Sequence, residues 1–198
     1  MSSPFAEWRD ADIVKLVDEN PLAWIISIAD PAIATPMPLL LETDSDGKPV
    51  TVMGHLPRVH PLVATLKAAP QTLLLFNGPH AYISPDYVPD RNWAPTWNFA
   101  IARITGETKF DETLTDEALA MLVTRMERGR PEPWTTEEMG ARYAKLRARV
   151  IGFRTTITAI DARFKLGQDE RPEVFDSIVN CLGDDPVTSW MRRFASER

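Results

Sequence analysis

The chain has 198 residues, 44% hydrophobic and 25% charged, with a formal net charge of -6. That balance suits one soluble globular domain over residues 1–198, and it excludes nucleic-acid binding by a broad excess of Lys and Arg. Cys181 is the only cysteine, so no internal disulfide is available, and no signal-peptide run or membrane-length apolar run (roughly 18 residues) occurs, which reads as a cytoplasmic protein.

The first helix is predicted over residues 10–20, where Ile13, Leu16 and Val17 recur at helical spacing ahead of Pro21. A strand follows over residues 22–29 (LAWIISIA). Residues 33–41 and 49–56 flank the turn sequence Asp44-Ser45-Asp46-Gly47 and are predicted to pair as a hairpin. Val59, Leu62, Val63 and Leu66 define a second helix, entered through Pro57 and ending at Pro70, and residues 71–76 (QTLLLF) return to a buried strand. Gly78 and the prolines at 79, 85, 89 and 95 predict a long loop over residues 77–95.

Residues 97–110 read as a strand, with Gly106 marking a bulge or a close backbone approach. Thr115 is placed to cap a helix carrying Leu119, Leu122, Val123 and Met126, which stops at Gly129 and Pro131. Thr135 and Glu138 have capping-box spacing for another helix, aligning Met139, Tyr143, Leu146 and Val150. The last strand covers residues 151–160, and two helices over 172–182 and 186–194 are broken at Gly183. Six strands with helical segments near 115–149 and 172–195 predict an α+β, mainly β fold: a small antiparallel barrel or strongly curved sheet with peripheral helices.

No G-x-G-x-x-G, Walker A, H-E-x-x-H or cysteine-pair motif is present. The chemistry-bearing side chains concentrate instead between residues 54 and 100. His55, Arg58, His60 and His80 can meet anionic or hydrogen-bonding atoms, while Tyr82, Tyr87, Trp93, Trp97 and Phe99 can cover a flat ligand. Arg58 reads equally as a phosphate ligand near a helix start or as an exposed arginine beside a capping histidine. The five-residue spacing of His55 and His60 gives no metal-site signature. Trp93 and Trp97 fit a ligand edge, an interface or the core. Arg142, Lys145 and Arg149 follow Glu137 and Glu138 and read as a solvated helix face.

In order along the chain, Pro38-Leu39-Leu40-Leu41, Gly54-His55-Leu56 with Arg58, Gly78-Pro79-His80-Ala81-Tyr82-Ile83-Ser84-Pro85, Pro95-Thr96-Trp97-Asn98, Ile151-Gly152-Phe153 and Lys165-Leu166-x-Gln168 resemble the PaiB family. That family is described as FMN-binding negative transcriptional regulators among the flavin-binding split barrels. The match runs close to full length, and the segments around His80 and Trp97 are its specific part. The resemblance implies a split β-barrel homodimer with FMN near the subunit interface. It implies that Thr35, Met37 and Pro38 pass the isoalloxazine ring and that His55 and Arg58 meet the phosphate and ribityl chain, with Gly54 and Leu56 beside them in the cofactor site. Tyr82, Trp97, Asn98, Lys165 and Gln168 would complete the site, in part from the second subunit.

The chain departs from the family pattern at His60-Pro61, Phe99, Ala102-Arg103, Gly167 and Asp169. Phe99 and Gly167 stand where a tyrosine and a serine hydroxyl are expected, each worth about 1 kcal/mol if it reached the ligand. Three functions fit the resemblance: an FMN-dependent sensor or negative transcriptional regulator, a flavin-dependent oxidoreductase acting on a small molecule, and a haem-binding split barrel using His55, His60 or His80. No residue is assigned as a catalytic acid or base, no metal site and no membrane association are expected, and the acidic balance argues against direct DNA contact.

Overall fold

The computed structural model describes residues 3–90 and 92–196; residue 91 of the predicted loop and the chain ends of the predicted domain lie outside the described residues. Among the described residues seven strands form one antiparallel sheet: β1 (Leu22–Ser27), β2 (Ala34–Pro38), β3 (Leu40–Thr43), β4 (Pro49–Pro57), β5 (Gln71–Ile83), β6 (Thr96–Phe110) and β7 (Val150–Lys165). Their order is β2-β1-β5-β6-β7-β4-β3. The two edge strands are consecutive in sequence, separated by Leu39 alone. Residues 34–43 are therefore one kinked strand that pairs first with β1 and then with β4, which curls the sheet into a barrel. Leu39 is fully buried at the kink, and its N–H donates to the Pro21 carbonyl at 2.8 Å.

Period-two patterning sets the inner face. On β1, Ala23, Ile25 and Ser27 are buried while Leu22 and Trp24 are exposed. Helix α1 (Asp10–Glu19) lays Ile13, Leu16 and Val17 into the core, and α2 (Pro61–Ala68) adds Leu62, Val63 and Leu66. A Cβ on Gly78 would stand 2.3 Å from Leu16 Cδ1 and 3.0 Å from the Ala100 carbonyl oxygen, so glycine permits α1 to close on β5 and β6. Two C-terminal helices, α5 (Pro172–Leu182) and α6 (Pro186–Ser196), cover another part of the barrel, joined at Gly183 as expected. Trp190 and Phe194 of α6 stack on Phe164 of β7 at 5.7 and 4.8 Å. Gly106 marks a register shift, and a Cβ there would lie 2.3 Å from the Thr156 carbonyl oxygen.

Four local expectations are corrected. The hairpin around residues 44–47 forms only from Leu40 onward, because the earlier half of that segment pairs with β1. The loop predicted from residue 77 begins after Ile83: β5 absorbs Gly78 and Pro79 at a register shift between Asn77 and His80 and continues to Ile83. The helix after Thr135 has its capping box but breaks at Gly140 (φ 52°), leaving a turn at Thr136–Met139 and a short α4 (Arg142–Arg147). Helix α3 (Leu114–Glu127) starts one residue before Thr115, whose Oγ1 instead accepts the Gly152 N–H of β7 at 3.0 Å.

Candidate functional site

Strand β4 turns alternate side chains in and out of the barrel. A Cβ on Gly54 would meet Leu39 Cδ2 at 2.5 Å and Phe153 Cζ at 2.9 Å, so Gly54 faces the interior and His55 the outside. The β3–β4 ladder ends at the pair Leu40–Met53, and Pro38, just beyond the kink, pairs with the exposed Leu22 of β1 at the end of β2, an element that still contacts β4. His55 is half-buried, and its Nδ1 has no hydrogen-bond partner among the described residues. Burial lowers its pKa and holds the imidazole neutral. A neutral ring has one donor and one acceptor nitrogen, and a buried nitrogen left unpaired favours any ligand that supplies the missing partner.

Arg58 follows immediately but is not at a helix terminus. Helix α2 starts at Pro61, capped by His60 Nδ1, which accepts the Leu62 N–H at 3.2 Å. Arg58 Nε donates to the Ala148 carbonyl at 2.9 Å, and both terminal nitrogens donate to the Glu112 carboxylate. That pairing holds the Glu112 carboxyl below its ordinary pKa and raises that of Arg58. Arg147 ties the same region together through Asp116 (3.1 Å) and the Glu112 carbonyl (3.0 Å). Tyr143 donates to Asp116 at 2.6 Å, and burial followed by that bond pushes the phenol pKa up to about 12.

A second surface lies on the outer face of β1, β5 and β6. Trp97 is 52% and Tyr82 46% exposed; they pair across the strands with rings edge-to-face at 5.9 Å. His80 stands opposite Phe99, which is opposite Lys165, and a shallow hollow lined by Asn77, His80, Trp97, Phe99 and Ile101 opens there. Lys165 Nζ donates to Thr96 Oγ1 and lies 5.9 Å from the Phe5 ring centre. Leu22, Trp24 and Ile28 extend the apolar surface along β1 and beyond its end.

Of the residues predicted for the site, Pro38, His55, Tyr82, Trp97 and Lys165 share this outer surface, with Arg58 at its margin. Others do not reach it. Thr35 and Met37 pair with Ile25 and Ala23, on the core side of the strand. Leu56 is fully buried, and Gly54 is closed off by Leu39 and Phe153. Asn98 is buried at 3% exposure and points its amide at Met191 Sδ, 3.5 Å away. Gln168 uses both ends of its amide on its own turn, donating to the Phe164 carbonyl and accepting the Leu166 N–H. Trp93 donates to Glu170 at 3.3 Å beside the loop.

Sequence reasoning missed Glu112, which carries no motif and becomes significant only by meeting Arg58. It also missed the bare face of β1, for which a signal existed. LAWIISIA is apolar on both alternating faces, the pattern of a strand covered on both sides.

A single antiparallel sheet curled on itself, helices on part of its surface and an apolar outer face left bare, defines a split barrel. Two solved structures share the fold: the FAD and haem binding protein from Mycobacterium smegmatis (16% identical, TM-score 0.63, covering 89% of this chain and 80% of that one) and the flavocytochrome Anf3 from Azotobacter vinelandii (17% identical, TM-score 0.58, covering 81% and 69%). Residues 1–159 match the family described as "Putative FMN-binding domain", and the chain belongs to that family. It is 25% identical over 177 residues to "Protease synthase and sporulation protein PAI 2" of Bacillus subtilis (strain 168), covering 88% of this chain and 84% of the relative. Lys165 and Gln168 lie beyond the matched residues. Among the described residues no helix is long and apolar enough to cross a membrane.

Proposed function

We propose that the protein binds FMN on the outside of its barrel beside Pro38 and His55, as a homodimer formed through the bare face of β1, β5 and β6, and acts in the cytoplasm as a flavin-dependent sensor that lowers transcription through a partner. The observation that carries this reading is His55 Nδ1, a buried polar atom with no hydrogen-bond partner among the described residues, on the outward side of a strand in a barrel whose family is described as a "Putative FMN-binding domain". The residues present fit the group: His55 supplies a neutral hydrogen-bonding ring, Pro38 a flat apolar neighbour, and Arg58 a guanidinium that exchanges Glu112 for phosphate. Bound FMN would supply reversible two-electron chemistry. The chain's own part is to hold it, shield it from water through a partner subunit bringing Trp97 and Tyr82, and couple its phosphate to the Glu112–Arg147 network.

The visible absorption spectrum of freshly purified protein, followed by FMN titration, tests this. Flavin bands, or saturable uptake of one FMN per chain, are expected. His55→Ala should weaken binding by about tenfold, the loss of one well-placed hydrogen bond, and unchanged affinity in Arg58→Ala would remove the phosphate role. A colourless protein that takes up no FMN overturns the reading. Haem is the second reading, favoured by one detail: the exposed His80 has Nδ1 3.2 Å from the Gly78 carbonyl, and in the tautomer that donates this bond Nε2 is the acceptor nitrogen left for a metal. A Soret band lost in His80→Ala would assign it.

A further inference from the structure

Between α1, β3 and α3 lies a cavity of about 420 Å³ that none of the flavin-facing residues line. Val14 and Val17 of α1, Leu40 and Leu41 of β3, and Met121 of α3 give it apolar walls. Its charged lining is Asp18, Arg125 and Arg128. Asp18 pairs with both arginines, accepting from Arg128 Nη2 at 3.1 Å. Two guanidinium groups against one carboxylate leave one positive charge in excess. Arg125 Nε and Asp18 Oδ1 are each buried with no hydrogen-bond partner among the described residues. Burial, and then the neighbouring charge of Arg128, lower the Arg125 pKa, so the cavity holds this cation against both effects.

The group that balances the excess charge of this lining is an anion, and walls of valine, leucine and methionine require that the rest of the ligand be hydrocarbon. We propose that this cavity binds a small amphipathic monocarboxylate, with its carboxylate on Arg125 and Arg128 and its hydrocarbon part against Val14, Val17, Leu41 and Met121. The volume sits at the small end of the range of ligand sites, which favours a compact acid over a long chain. A single charge in the ligand matches the single excess charge of the arginine pair. The proposal is independent of the flavin reading, because it shares no residue with it.

Calorimetric titration of the full chain with octanoate, octanol and octylamine tests this, the three probes sharing one hydrocarbon chain and differing in charge. Octanoate should bind one per chain and at least about tenfold more tightly than octanol, the margin a charge-assisted hydrogen bond supplies; octylamine should not bind. Arg125→Gln should bring octanoate down to the octanol level, and Met121→Trp, which fills the cavity, should abolish binding of both while FMN uptake is unchanged. Should Arg125→Gln fail to fold, Arg128→Gln, at an exposed side chain, must still reduce the preference for octanoate. Absence of octanoate binding, a preference for octylamine, or octanoate affinity unchanged in Met121→Trp would each overturn the proposal.

Discussion

The outer surface of the barrel divides into two halves with opposite treatment. Across β3, β4 and β7 it is roofed by α3: Met53, Thr115 and Ala118 are at most 2% exposed, and Arg154 bridges Glu42 (2.7 Å) and Glu117 (3.1 Å) over the same strands. Across β1, β5 and β6 it has no roof, and Leu22, Trp24, Tyr82 and Trp97 stand 44 to 63% exposed. One sheet supplies both halves, so the sheet does not explain the contrast. The connection after β6 does, because residues 111–149 fold back over β7 and β4 and leave the other half to be covered from outside. Contiguous exposed aromatic and aliphatic side chains on a barrel's outer face mark an interaction surface.

Substitutions on the two halves should therefore fail in different ways. The largest expected effect is on the bare half: Trp24→Asp buries a charge in the proposed dimer interface and should convert dimer to monomer in light scattering after size exclusion, with the monomer still folded. A monomeric wild type would break the comparison at once. On the roofed half the loss should appear as stability. A Cβ at Gly152 would stand 2.6 Å from the Leu114 carbonyl carbon and oxygen, backbone that must move, so Gly152→Ala should lower the unfolding free energy by about 3 kcal/mol in urea denaturation. Thr115→Val removes the hydroxyl that accepts the buried Gly152 N–H and should cost about 1–2 kcal/mol by the same measurement. Ile28→Thr, exposed beyond the end of β1, should stay within about 0.5 kcal/mol.

The same division explains what the sequence disclosed. Period and punctuation were sufficient where local chemistry decides: the apolar spacing of Leu62, Val63 and Leu66, the capping box of Thr135 and Glu138, and the close approach at Gly106 were all legible. They were insufficient where a tertiary partner decides. Nothing local tells residues 34–43 to change partner at Leu39, or lets β5 run through Gly78 and Pro79 rather than end there. Of the site, His55 and Trp97 were readable as residue types in a dense segment. The inward turn of Asn98 and the local bonding of Gln168 depend on strand phase and on one tight turn. The bond between Arg58 and Glu112 joins positions 54 residues apart with no motif linking them.

The smallest expected effect links the halves, because His55 sits where the roof of α3 meets the open surface. Its pKa lies below the ordinary histidine value of 6.5 because burial disfavours the charged ring. The unfolded chain therefore takes up a proton before the folded one does, and stability falls as pH drops from above 6.5 toward the folded pKa. Glu112 and Asp116 also lose stabilisation in acid, but both are held below ordinary carboxylate values and act at lower pH. Melting temperatures compared at about pH 7.5 and 5.5 isolate the histidine. The wild type should lose stability across that interval, and His55→Gln, which cannot titrate, should lose less. Saturating FMN should blunt the wild-type loss, since a phosphate near the ring favours the imidazolium that burial penalises. An identical acid response in both proteins would place His55 away from any desolvated contact and leave the open surface without its polar anchor.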